Sequence, residues 1–183
     1  MYFVFMILLF SLVCIARPLT VFFHELGHAI PSILLTGRQT TIYVGSYGDP
    51  RRSIRFTIGL LQVYFRYNPL SWKLGLCVPS EAVSLNRQIL CIIAGPLTSF
   101  MIAAVCCYFT FTYDLHGLLK LFLVVFLGSG ILDLIINLLP ARAPVQLYDG
   151  TTAYNDGYQL IQIIQYKCRP KSLRKAGSHQ TGK

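Results

Sequence analysis

Three long apolar stretches, separated by polar segments of unequal length, organise the chain: Met1 to about Leu35, Gln88 to Thr112, and Gly117 to Pro140. The second and third each offer the roughly 20 apolar residues that a helix needs to cross a bilayer. The first is longer and is interrupted by Arg17-Pro18. It reads either as one long tilted helix kinked near Pro18 or as a short apolar lead followed by a separate helix. A cleavable leader in Met1 to Ala16 would need a basic start, which those residues lack. Between the first two stretches the period changes. Thr40 to Tyr47 is rich in β-branched and aromatic residues, Gly48-Asp49-Pro50 signals a turn, and Ile54, Phe56 and Ile58 alternate with Arg55 and Thr57. Gln62 to Tyr67 alternates again before Asn68-Pro69. The pattern predicts an α-helical integral membrane protein of about three core transmembrane helices. A small membrane-associated antiparallel β-sheet is inserted between the first and second. Residues 1–166 are expected to form one domain: 1–35 the first helix region, 36–87 the β-rich loop, 88–112 and 117–140 the later spans, and 141–166 a connecting segment with a short helix. Residues 167–183 are expected to be a basic tail, disordered or resting on anionic headgroups.

Composition agrees. With 54% hydrophobic and 13% charged residues among 183, and a mean hydropathy of +0.56, the chain is more apolar and less charged than an ordinary soluble domain. The net charge of +9 raises the question of nucleic acid. The basic residues, however, sit between and after apolar segments rather than on an aromatic-interleaved polar face, which excludes that partner. They instead orient the spans. Seven basic residues (Arg38, Arg51, Arg52, Arg55, Arg66, Lys73, Arg87) against Asp49 and Glu81 occupy the long loop, and seven more follow Pro140. The turn around Tyr113 to Gly117 has neither Lys nor Arg. The asymmetry predicts that the long loop and the C-terminus are cytoplasmic.

Candidate chemistry lies inside the first apolar stretch. His24-Glu25-Leu26-Gly27-His28 is an HExxH sequence, flanked by Val21-Phe22-Phe23 and Ala29-Ile30. On a helix, positions i and i+4 share a face, so His24 and His28 can hold one Zn²⁺ while Glu25 beside them can take a proton from water. Ionisable groups cost roughly 2.5–3.5 kcal/mol at the centre of a membrane helix and point to function there. A zinc site needs a third protein ligand. A further histidine just downstream is excluded, because the next one is His116, and the only other Glu is Glu81, on a loop beside Pro79. That leaves an aspartate. After Asn137-Leu138-Leu139-Pro140 the chain offers Asp149-Gly150 and Asp156-Gly157.

Taken together, HELGH in the first span, Ala94-Gly95-Pro96-Leu97 in the second, and NLLP followed by an Asp-Gly pair after the third resemble the site-2 protease family of intramembrane zinc metalloproteases. The stretch HELGHAIPSILLTGR resembles its small bacterial-type members. The resemblance implies a zinc-dependent endopeptidase that cuts membrane-spanning protein substrates within the lipid bilayer. It implies His24 and His28 as zinc ligands, Glu25 as general base, and the aspartate of an Asp-Gly pair as the third ligand. The family places that pair a few residues after the proline, whereas Asp149 follows Pro140 by nine positions and Asp156 by sixteen. Asp156, which leads into an apolar helix-like run, is preferred, with Asp149 as the alternative. Asn137 would position the substrate or the developing oxyanion. Asp133, one turn before Asn137, has no clear family counterpart and suits a carboxylate that fixes the tautomer of a zinc-bound histidine, preferred over a rare fourth ligand. Gly95-Pro96 is expected to break or thin the second span so that backbones approach near the metal.

An extended substrate could pair with an exposed edge of the predicted sheet. Two other classes fit less well: a metal transporter does not require Glu25 beside His24, and a proteolytically silent scaffold does not require it intact. The six cysteines form no CxxC pair and read as packing residues rather than as a disulfide framework or second metal site.

Overall fold

A computed structural model describes residues 2–81 and 83–168. The rest of the basic tail, 169–183, lies outside the described residues.

The first apolar stretch is a single helix, α1 (Tyr2–Thr36), which runs through both Pro18 and Pro31. Each proline removes one backbone hydrogen bond, a loss tolerated where neighbouring helices repack around it. Of the two readings of this stretch, one long helix is therefore the structure. At 1.5 Å per residue it measures about 52 Å, longer than the ~30 Å hydrocarbon layer, so α1 is long enough to cross a bilayer and still carry other elements. It ends at Gly37, whose φ of +64° and N–H bond to the Ile33 carbonyl (2.8 Å) close the last turn in the left-handed conformation that glycine adopts at little cost.

The other two spans are α2 (Leu85–Thr112) and α3 (Gly117–Leu138). α2 starts a turn before Gln88 and remains unbroken at Pro96, and α3 stops short of Pro140, which cannot continue a helix. Ala16, Cys106 and Phe126, one from each helix, form the centre of the bundle. Outward-facing side chains such as Phe100, Met101, Val105 and Ile135 stay exposed, as a lipid-facing surface requires.

Between α1 and α2 lies a four-stranded sheet: β1 (Thr40–Val44), β2 (Ser53–Ile58), β3 (Leu61–Arg66) and β4 (Gly75–Pro79), in the order β2-β3-β1-β4. The expected antiparallel pairing holds for β2–β3 and β1–β4. The pairing of β1 with β3 is parallel, which makes the sheet mixed. The physical reason is connectivity: β2 turns back at Gly59 (φ +58°) into a tight hairpin and occupies the outer edge, so β3 lies beside β1 in β1's own direction. Ile42, Val44 and Val63 on the inner face pack on Val21 and Ala29 of α1, which seats the sheet directly over the HExxH turns. After α3, a two-stranded hairpin, β5 (Val145–Gln146) and β6 (Thr152–Ala153), leads into α4 (Asp156–Cys168). The sheet, the start of α2, the end of α3 and α4 lie at one end of the bundle, and the Tyr113–His116 turn lies at the other.

Candidate metal centre

His24 and His28 lie one turn apart on α1, and both imidazoles point toward the start of α4. His24 Nε2 is 3.0 Å and His28 Nε2 3.2 Å from Asp156 Oδ2, and the two ring nitrogens are 3.1 Å from each other. Three potential ligand atoms thus converge from residues up to 132 positions apart in sequence.

The tautomers follow from the opposite ring edges. His24 Nδ1 lies 3.0 Å from Asp133 Oδ2, and also 3.0 Å from Ser99 Oγ, which donates its own proton to the same carboxylate at 2.9 Å. His28 Nδ1 faces the Cys91 carbonyl at 2.8 Å. A carboxylate and a carbonyl only accept, so each Nδ1 carries the hydrogen and each Nε2 presents a lone pair. With both rings neutral, as metal ligands must be, the two Nε2 lone pairs and Asp156 Oδ2 converge on one point. Such an arrangement calls for a cation.

Charge counting supports the same conclusion. Glu25, Asp133 and Asp156 are buried in one cleft, Arg17 lies 3.9 Å from Asp133 Oδ1, and Lys73 lines the cleft with an exposed side chain. With both imidazoles neutral, the three carboxylates outnumber these two cations, and a cation held among them would offset the excess. Tetrahedral zinc with nitrogen and oxygen ligands at about 2.0–2.1 Å separates its ligand atoms by about 3.3–3.4 Å. The observed 3.0–3.2 Å spacing fits that ion with a small expansion.

Small residues permit the close approach. A Cβ on Gly95 of α2 would fall on the His28 ring, and one on Gly27 would come within 2.6 Å of the Ala94 carbonyl oxygen. Gly95-Pro96 therefore thins α2 without breaking it. Glu25 does not join the three ligand atoms; it lies against Gly75, where β4 forms a wall of the cleft. The cleft has a volume of about 770 Å³ and is bounded by α1, α2, α3, β4 and the segment from Ala141 to Gln159.

Burial, reinforced by Glu25, pushes the Cys77 thiol of β4 well up, which keeps it protonated and unsuited to bind metal. Burial and the same carboxylate raise the Tyr47 phenol, which stays a hydrogen-bond donor in the cleft wall.

The remaining predicted positions are distinct. Asp149 sits at the exposed β5–β6 turn, where Oδ1 accepts from the Thr151 N–H (2.9 Å) and hydroxyl (2.6 Å), away from the histidines. Asn137 lines the cleft and donates from Nδ2 to the Asp133 carbonyl at 3.0 Å. Ser99 and Arg17 belong to the polar cluster but carried no motif. Arg17 could have been found as a charge within a span; Ser99 has no comparable signal, since serine is common at plain helix contacts.

The Peptidase M50B-like family model matches residues 1–145, most of the chain. The chain belongs to this peptidase family. Membership supports the resemblance to site-2 proteases and, with three membrane-length apolar helices, makes this a membrane protein of peptidase type. The match covers α1 through α3 with His24, Glu25, His28, Asp133 and Asn137, and ends before Asp156. The third member of the cluster therefore rests on the tertiary structure. No curated protein matches the chain.

Proposed function

We propose that the protein is a zinc-dependent endopeptidase that hydrolyses peptide bonds in or near transmembrane segments of other membrane proteins. The observation that carries this reading is the convergence of three lone pairs from His24, His28 and Asp156, with Glu25 beside them in the same cleft.

Two imidazoles and one carboxylate are the ligand set of hydrolytic zinc, and they would hold the ion with a coordination position left open. Zinc bound there supplies Lewis acidity, which polarises a carbonyl and makes a water proton labile near neutral pH. Glu25 receives that proton and delivers it to the departing amine, so one carboxylate serves first as base and then as acid. Asp133 and Ser99 keep His24 in the tautomer that binds metal. Asn137 positions the substrate through the part of its amide not bonded to the helix.

The substrate must be unwound, because a helix shields its amides. β4 is suited to receive it. The bonds from the Gly45 N–H to the Leu74 carbonyl and from the Ser80 N–H to the Gln39 carbonyl set the β1–β4 ladder. Antiparallel alternation then leaves the Gly75 and Cys77 N–H groups facing the open edge along the cleft. Pro79, which has no N–H, falls in the same series. A substrate peptide N-methylated at alternate amides flanking the cleaved bond is expected to react about tenfold more slowly, roughly one lost hydrogen bond. Equal rates for all methylated forms would remove β4 from the substrate site. Asn137→Ala should likewise slow cleavage at unchanged zinc content. The basic loop and α4, at one end of the bundle, are assigned to the cytoplasmic side; a reporter fused after Lys183 should be active only in the cytoplasm.

The direct test is metal content and cleavage in detergent. The purified protein is expected to hold about one zinc per chain and to cut a transmembrane peptide, with loss of activity on chelation and recovery on adding zinc. Zinc binding without cleavage of any transmembrane peptide would favour a scaffold, and absence of zinc would overturn the reading.

A further inference from the structure

We propose that Asn155 is a positioning residue for the third metal ligand. Its side chain locks the start of α4 to the end of α3 so that Asp156 meets the two histidines. The inference rests on the metal reading of His24, His28 and Asp156.

The need arises at the end of α3. Within a helix, the Ile136 carbonyl would accept from the N–H four residues on, but that residue is Pro140, which has none. Asn155 Nδ2 fills this vacancy at 3.0 Å and also donates to the Leu139 carbonyl. On its other side, Asn155 Oδ1 accepts from the Ala141 N–H at 3.1 Å and from the Tyr158 N–H at 3.2 Å, the latter bond capping α4. One amide thereby makes four hydrogen bonds, two as donor and two as acceptor, across three segments. Asp and Ser cannot supply both pairs. Gly157 completes the clamp: a Cβ there would collide with the Leu138 carbonyl, so α4 begins in direct contact with the end of α3. Asp156 lies between these two fastened residues. Because α3 also carries Asp133, whose carboxylate holds His24, the same helix orients one ligand through Asp133 and a second through Asn155.

A plain helix cap makes a different prediction. Asn and Asp cap helices about equally well, so if Asn155 only caps α4, Asn155→Asp should bind metal like the wild type. If it positions Asp156, Asn155→Asp keeps both acceptor contacts but loses both donor contacts, and metal affinity falls despite the added negative charge.

The experiment measures zinc affinity, the visible absorption of the Co²⁺-substituted protein, and the thermal midpoint of the metal-free protein in detergent, for wild type, Asn155→Asp, Asn155→Ser and His24→Ala. Expected for both Asn155 variants are about tenfold or greater loss of zinc affinity, as for partners that orient metal ligands, altered Co²⁺ bands, and a metal-free midpoint close to wild type. Wild-type affinity and bands in Asn155→Asp would overturn the proposal and leave a cap. A collapse of the metal-free midpoint in both variants would also overturn it, as the signature of a general folding role. Failure of the wild type itself to bind zinc, or equal binding by His24→Ala, would instead sink the underlying metal reading and this inference with it.

Discussion

Glu25→Gln is expected to leave zinc bound and to slow peptide cleavage by at least about a hundredfold, the lower range of what a positioned acid–base group contributes. The substitution keeps the size of a buried side chain that lies against Gly75 and removes only its capacity to accept and return a proton. Because Glu25 is not among the three converging ligand atoms, metal content should not change. Cleavage of a transmembrane peptide and metal analysis of the same preparation decide the matter. Retained activity would mean that another group is the base, and loss of zinc would mean that Glu25 helps to hold the ion.

The second large effect concerns the choice between the two Asp-Gly pairs. Asp156→Asn is expected to abolish zinc binding at micromolar metal and all cleavage with it. The change removes the one negative charge among the three ligands, a carboxylate that lies within 3.2 Å of both imidazoles. Asp149→Asn should be silent in both assays, since its carboxylate contacts only the backbone and hydroxyl of Thr151 at an exposed turn. Asp133→Asn should fall between them. It retains a hydrogen-bonding shape beside His24 but supplies less negative charge and permits the wrong tautomer, a change that typically costs ten- to a hundredfold in metal affinity. The order of the three variants is the informative result: if Asp149→Asn lost metal while Asp156→Asn kept it, the arrangement of α4 described here would be wrong.

The parts legible in the sequence share a physical origin, because each depends on residues close together along one element. Apolar runs long enough to span a bilayer announce α1, α2 and α3 regardless of what they pack against. His24, Glu25 and His28 fall within little more than one helical turn, so local periodicity alone puts both imidazoles on one face with the carboxylate beside them. β-Branched and aromatic composition likewise marked β1, alternation marked β2 and β3, and NLLP marked the end of α3. β4 escaped notice because five residues beginning with Gly75 and ending with Pro79 show neither clear alternation nor strong strand propensity.

What remained open depended on contacts distant in sequence. Alternation in each strand is the same whether its neighbour runs parallel or antiparallel, so only the placement of β2 at the outer edge made the β1–β3 pairing parallel. Asp149 and Asp156 both head Asp-Gly pairs, and the helix-like run after Asp156 only favoured it; the β5–β6 hairpin, which turns one outward and delivers the other to the histidines, separates them. Asp133 could be suspected from its place in a span, but its partner was identified only when α3 packed against α1, 109 residues away at the Thr20–Ser129 contact, and brought the carboxylate to His24. By itself, then, the sequence determined the membrane class, the three spans and the His24-Glu25-His28 half of the site, because helix geometry is local. The tertiary structure decided which aspartate meets the two histidines, the partners of the imidazoles and the strand that walls the cleft, because those depend on how separate helices and strands meet.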